Sequence, residues 1–83
     1  MTVEWKPQAR ADLRRIPRDQ ALAILHAITR FGQTKQGDVV RLAEERFQGA
    51  LRLRVGDWRV HVRQQESGLL VILRVLHRSQ AYR

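Results

Sequence analysis

Between Leu51 and Arg63 apolar and polar residues alternate almost without a break, interrupted only at Gly56-Asp57. Side chains alternate faces along a strand, so this pattern predicts a β-hairpin turning at Gly56-Asp57. Leu51, Leu53, Val55, Trp58, Val60 and Val62 fall on one side, and Arg52, Arg54, Arg59, His61 and Arg63 on the other. The first side is a core face; the second is a cationic plate. Downstream, Gln64 to Gly68 is a looser turn, and Leu69 to Leu76 is apolar at nearly every position, as expected of a strand covered on both faces and central in its sheet. On that strand Arg74 shares a parity with Arg78, opposite Val71, Leu73 and Val75, and is a candidate ion-pair partner for Glu4 or another acid.

Upstream the period changes. Val3 and Trp5 alternate with Thr2, Glu4 and Lys6, a short strand ended by Pro7. Ala9, Leu13 and Ile16 recur at helical spacing, which predicts an amphipathic helix over 7–16, begun by Pro7 and stopped by Pro17. A second helix is predicted from Arg18 to Phe31, with Ala21, Leu22, Leu25, Ile28 and Phe31 as its apolar stripe and Gly32 as its stop. Their short connection predicts an antiparallel helix hairpin. Residues 32–50 read as a loop that becomes extended near Val40, anchored by Val39, Val40 and Leu42. The expectation is an α+β fold: an N-terminal strand, two helices, then three strands, with both helices on one face of a four-stranded antiparallel sheet. At 83 residues this is one domain spanning 1–83, able to bury roughly 60% of its unfolded surface in a thin core.

Charge sharpens this picture. The chain carries a formal net charge of +8, and its distribution is uneven. Residues 46–83 hold eight Arg against two acids, a balance of +6, whereas residues 1–45 hold eight basic and six acidic residues, a balance of +2. Such a surface suits a polyanionic partner, nucleic acid first. Fourteen of the sixteen basic residues are Arg, whose guanidinium clamps phosphate through two bonds and stacks on bases. The plain reading of Arg52, Arg54, Arg63 and His61 is that of solvated side chains on a wet sheet face; it leaves the clustering unexplained. There is no cysteine, which excludes thiol chemistry and thiolate metal sites. No His, Cys or acid cluster has metal-ligand spacing, so no cofactor is implied. No apolar run approaches the roughly 20 residues of a membrane helix, and a cytoplasmic location is the default.

The segment Leu51-Arg52-Leu53-Arg54-Val55-Gly56-Asp57-Trp58-Arg59-Val60, followed by Val71-Ile72-Leu73-Arg74-Val75-Leu76-His77-Arg78 and ending near Tyr82, resembles the RelE/ParE superfamily of bacterial toxins. The resemblance spans nearly the whole chain. It implies a small toxin neutralised by a cognate antitoxin, here expected to be acidic. In the RelE branch such a toxin enters the ribosome and cuts messenger RNA; in the ParE branch it poisons DNA gyrase by binding it. A family member that keeps antitoxin binding without toxicity is a third form.

Metal-free RNA cleavage needs the 2′-hydroxyl deprotonated, the phosphorane charge stabilised and the leaving 5′-oxygen protonated. Arginines serve the second need. The resemblance aligns the basic site positions of RelE toxins with Arg52, Arg54, Arg59 and Arg78, and an aromatic position with Tyr82. Where some RelE toxins carry lysines at the first two positions, this chain has arginines, which are poor bases because their pKa exceeds about 12. Proton handling then falls to His77, His61 or Tyr82, with His77 favoured. The implied catalytic set is Arg54, Arg59, His77, Arg78 and Tyr82, with Arg52, His61 and Arg63 as RNA contacts. Trp58 is expected at the core edge and His26 as a structural residue.

Overall fold

The structure, a computed structural model, describes residues 2–41 and 50–81. Its elements are β1 (Val3–Trp5), α1 (Pro7–Arg14), α2 (Arg18–Thr34), β2 (Asp38–Arg41), β3 (Ala50–Val55), β4 (Trp58–Gln64), β5 (Leu70–His77) and a short α3 (Arg78–Ala81). The five strands form one sheet in the order β1-β5-β4-β3-β2, one strand more than the alternation alone predicts. The addition is β2, in the stretch expected to become extended near Val40. It pairs antiparallel with β3, Val39 opposite Leu53 and Val40 opposite Arg52. Leu42 lies outside the described residues.

The sheet is mixed rather than wholly antiparallel. β1 runs parallel to β5, with Val3, Glu4 and Trp5 opposite Leu70, Val71 and Ile72. Side-chain alternation in a strand of three residues specifies its faces and not its direction, so the pattern was silent on this point. β5 is flanked by β4 and, over Leu70–Ile72, by β1, so it lies inside the sheet, and its Leu70, Val71, Ile72 and Val75 are buried.

Ala9 and Ile16 from the α1 region, and Ile24, Ile28 and Phe31 from α2, join Leu53, Val60, Val62, Leu70, Ile72 and Val75 of the sheet in a single buried cluster. Both helices therefore serve one sheet face. The stripe of α2 runs through Ile24 rather than Leu22, which is 46% exposed. Nor does Gly32 end that helix. Gly32 is buried within it, and the stop comes at Lys35, left-handed at φ 61°, whose N–H donates to the Phe31 carbonyl at 2.8 Å.

Leu70, Ile72 and Val75 cannot all face one side of an unbroken strand. A β-bulge resolves the parity: between His61 and Val62 the register slips, so that His61 lies opposite Arg74 and Val62 opposite Ile72, with Leu73 bulged out. Arg74 thereby joins the side of His61, and Val71, opposite Arg63, joins that side too. The expected grouping of Val71, Leu73 and Val75 on one face is thus corrected by a single extra residue.

Candidate nucleic-acid interface

The hairpin forms as the alternation requires. Gly56 takes φ +58° in the two-residue turn, a conformation an L side chain resists. The register then places Arg52 opposite His61 and Arg54 opposite Arg59. With Arg63 these side chains occupy the face away from the helices, while Arg74, cross-strand from His61, turns to Asp12 on α1.

The face is not uniformly open. Arg54 is exposed, while Arg52 and Arg63 are half-buried. Arg59 and His61 are only 7% exposed each, which corrects the expectation of Arg59 as an uncovered clamp. The reason is local. The Arg59 Nη1 donates to the carbonyls of Gly56 at 2.9 Å and Trp58 at 3.0 Å, so the guanidinium braces its own turn. Arg54 reaches the other way, its Nε 3.3 Å from Asp38 on β2. For His61, burial first and then the positive charges of Arg52 and Arg74 lower the imidazole pKa below its ordinary value.

His77 lies elsewhere. Opposite Trp58 in the register, it belongs to the helix side, where its ring meets the Trp58 indole edge-on at 5.3 Å and 87°. Its Nδ1 is 3.0 Å from the Ser79 hydroxyl and accepts the Ser79 backbone N–H at 3.3 Å. Arg78 is exposed at the end of β5. Its N–H donates to the Asp57 carbonyl at 2.7 Å and its Nε is 3.7 Å from the Asp57 carboxylate, which ties the start of α3 to the hairpin turn. Tyr82 lies outside the described residues. The structure therefore brings Arg52, Arg54, Arg59, His61 and Arg63 to one face and sets His77 behind it, with Arg78 at the rim between.

Two residues escaped the sequence reading. Asp12 accepts from Arg74 and from the Val75 N–H, at the β5 edge beyond the end of β1. Its signal was its place between Ala9 and Ile16 on the apolar stripe of α1. Gln20, which accepts the Trp58 indole N–H at 2.7 Å, carried no signal. Among the described residues no group of His, Cys, Asp or Glu is arranged to hold a metal ion, and no helix is long and apolar enough to cross a membrane.

Residues 3–82 match the model of a family described as the ParE toxin of type II toxin-antitoxin system, parDE. No curated protein sequence matches the chain. Among solved structures, the chain is similar to one from the RelB-RelE antitoxin-toxin complex of Methanococcus jannaschii, with TM-score 0.77 and 19% identity over 95% of this chain and 94% of that one. A chain of the toxin-antitoxin complex RelBE2 from Mycobacterium tuberculosis gives TM-score 0.68 and 29% identity over 95% and 92%. The archaeal RelE-RelB complex from Pyrococcus horikoshii gives 0.73 and 22% over 96% and 97%. At 19% and 22% identity the archaeal likenesses carry the fold alone.

Proposed function

This chain belongs to the ParE toxin family of type II toxin-antitoxin systems, and from that premise we propose that it works in the RelE manner, binding messenger RNA on the ribosome and cleaving it without a metal. The observation that carries this reading is the arginine face. Arg52 and Arg54 on β3, with Arg63 on β4, line a surface the helices leave open, where phosphates meet guanidinium groups fixed on rigid strands. Burial, and after it the charges of Arg52 and Arg74, lower the His61 imidazole pKa below its ordinary value. Arg54 and Arg52 engage the phosphate on either side of the scissile bond and stabilise its developing charge; Arg59 holds the turn that presents them. His77, reached past Arg78 at the rim, supplies proton transfer, and Tyr82 serves as a stacking or orienting group.

The partner follows from the family and from charge. Solved relatives are toxin-antitoxin complexes; for this chain a cognate acidic antitoxin covers part of the arginine face and quenches its affinity for nucleic acid. A second reading, inhibition of DNA gyrase by protein binding, draws on the position of His77 behind the sheet from Arg52 and Arg54.

The deciding experiment adds the purified toxin to programmed ribosomes in chelator and, separately, to a gyrase supercoiling reaction. The proposal expects message cut only when ribosomes are present, and Arg54→Ala to slow cutting on the order of 10²-fold. Intact message with blocked supercoiling favours the gyrase reading.

A further inference from the structure

A cleft of about 370 Å³ opens at the β5 edge, between the end of α1 and the start of α3. It lies at the lower end of the roughly 300–1,000 Å³ range of small-ligand sites, too small for a nucleic-acid helix. Its wall is aromatic and held in place: the Trp58 indole is anchored by its bond to Gln20 and buttressed by the edge-on ring of His77. Arg15, exposed at the C-cap of α1, also lines it. No carboxylate among the described residues pairs with Arg15, whereas Arg74, also in the lining, is committed to Asp12. Ser79 and Gln80 add groups that can donate and accept hydrogen bonds.

The cleft opens on the helix side of the sheet and meets the arginine face at the β5 edge. Arg74 and Leu76 line it, and in the register they are the cross-strand partners of His61 and Arg59. In this arrangement a single strand leaves the arginine face past Arg74 and turns over the β5 edge into the cleft. An aromatic wall, an available guanidinium and a few bifunctional polar groups are what an unpaired nucleotide requires: a π-face to stack on, a cation for its phosphate, and readers for its base edge. An acidic peptide would use Arg15 but has no need of the fixed indole.

We propose that this cleft is a subsite for one unpaired nucleotide of RNA, its base against the wall formed by Trp58 and His77 and its phosphate on Arg15. The inference rests on the RNA reading above and adds to it a determinant of which base lies beside the cleavage point. Arg15 is a positioning residue here, set apart from the plate: it holds the phosphate so that the base is seated against the wall.

The test uses the full toxin, nitrogen-15 labelled, and follows its two indole N–H resonances. Adenosine 3′-monophosphate should shift the Trp58 signal saturably and leave Trp5, on β1, unmoved. Arg15→Ala should weaken that binding about tenfold or more, the scale of one charged hydrogen bond to phosphate, with an unchanged melting temperature. Inorganic phosphate alone should bind more weakly than the nucleotide. On ribosomes, the same variant should cut with an altered preference for the neighbouring base. No saturable Trp58 shift, a shift insensitive to Arg15→Ala, or phosphate binding as tight as the nucleotide overturns the subsite. A toxin that shows the nucleotide-specific shift yet cuts no message on ribosomes overturns the RNA-cleavage reading and leaves the subsite standing, so the two failures are distinct.

Discussion

Asp12 and Arg74, 62 residues apart, are joined by two hydrogen bonds, Nε to Oδ2 at 2.8 Å and Nη2 to Oδ1 at 3.1 Å. The same Oδ2 accepts the Val75 N–H at 2.9 Å. One carboxylate thus fixes the helix to the sheet and satisfies a strand edge that β1 is too short to cover. The pairing holds the Arg74 pKa above its ordinary value. Asp12→Ala should cost about 2 kcal/mol, because it strands a backbone donor and a half-buried cation at once. Asp12→Asn, which retains an acceptor for Val75, should cost less. Equal losses, measured by denaturant unfolding, would show that the charge is the whole effect.

That contact also shows where the sequence was legible and where it was not. The hairpin could be read because alternation over Leu51–Val62 and a glycine in the turn act locally and agree. The helices could be read from their period, with the exception of the stripe position at Ile24. The bulge at Leu73 left no trace, since a run of Leu, Val and Ile looks the same in either parity, and with it went the placement of Arg74 and Val71. The candidate site was legible as a list of cations. Its division was hidden, because whether Arg59 faces solvent or folds back on Gly56 depends on what its neighbours cover.

Arg59 should accordingly behave as a structural residue. Replacing it with Ala leaves the carbonyls of Gly56 and Trp58 without the guanidinium that meets them at 2.9 and 3.0 Å. The expected loss is about 1–3 kcal/mol, visible as a lower unfolding midpoint. Arg59→Lys, which lacks the planar fork, should recover only part of it. A variant as stable as the parent but inactive would instead make Arg59 a direct contact to substrate.

Arg54 is the complementary case. Its ion pair with Asp38 joins side chains 63% and 59% exposed, so removing it should change stability by less than about 0.5 kcal/mol. Binding to single-stranded RNA should move in opposite directions in the two single variants. Arg54→Ala should weaken it and lower the slope of log affinity against log salt by about 0.7, the value of one phosphate contact. Asp38→Asn should tighten it by releasing Arg54. If Asp38→Asn weakens binding, the pair presents Arg54 to the RNA rather than competing for it.

His61 predicts a pH dependence. Burial, then Arg52 and Arg74, depress its pKa from the ordinary 6.5, so the unfolded chain binds its proton more readily than the folded one. The sign follows from linkage: the folded state keeps its full advantage above about pH 6.5 and loses it as pH falls from there toward the depressed value. His26 is exposed, and His77 sits on the helix side against Trp58, which leaves His61 as the buried imidazole among described residues. The wild type should lose stability between pH 7 and about pH 5 more steeply than His61→Gln, which keeps polar groups of similar reach and cannot titrate. Denaturant midpoints for the two proteins across that window make the comparison. Parallel curves would mean that the arginine face admits a protonated imidazole without cost, and that the field of Arg52 and Arg74 at β4 is screened by solvent.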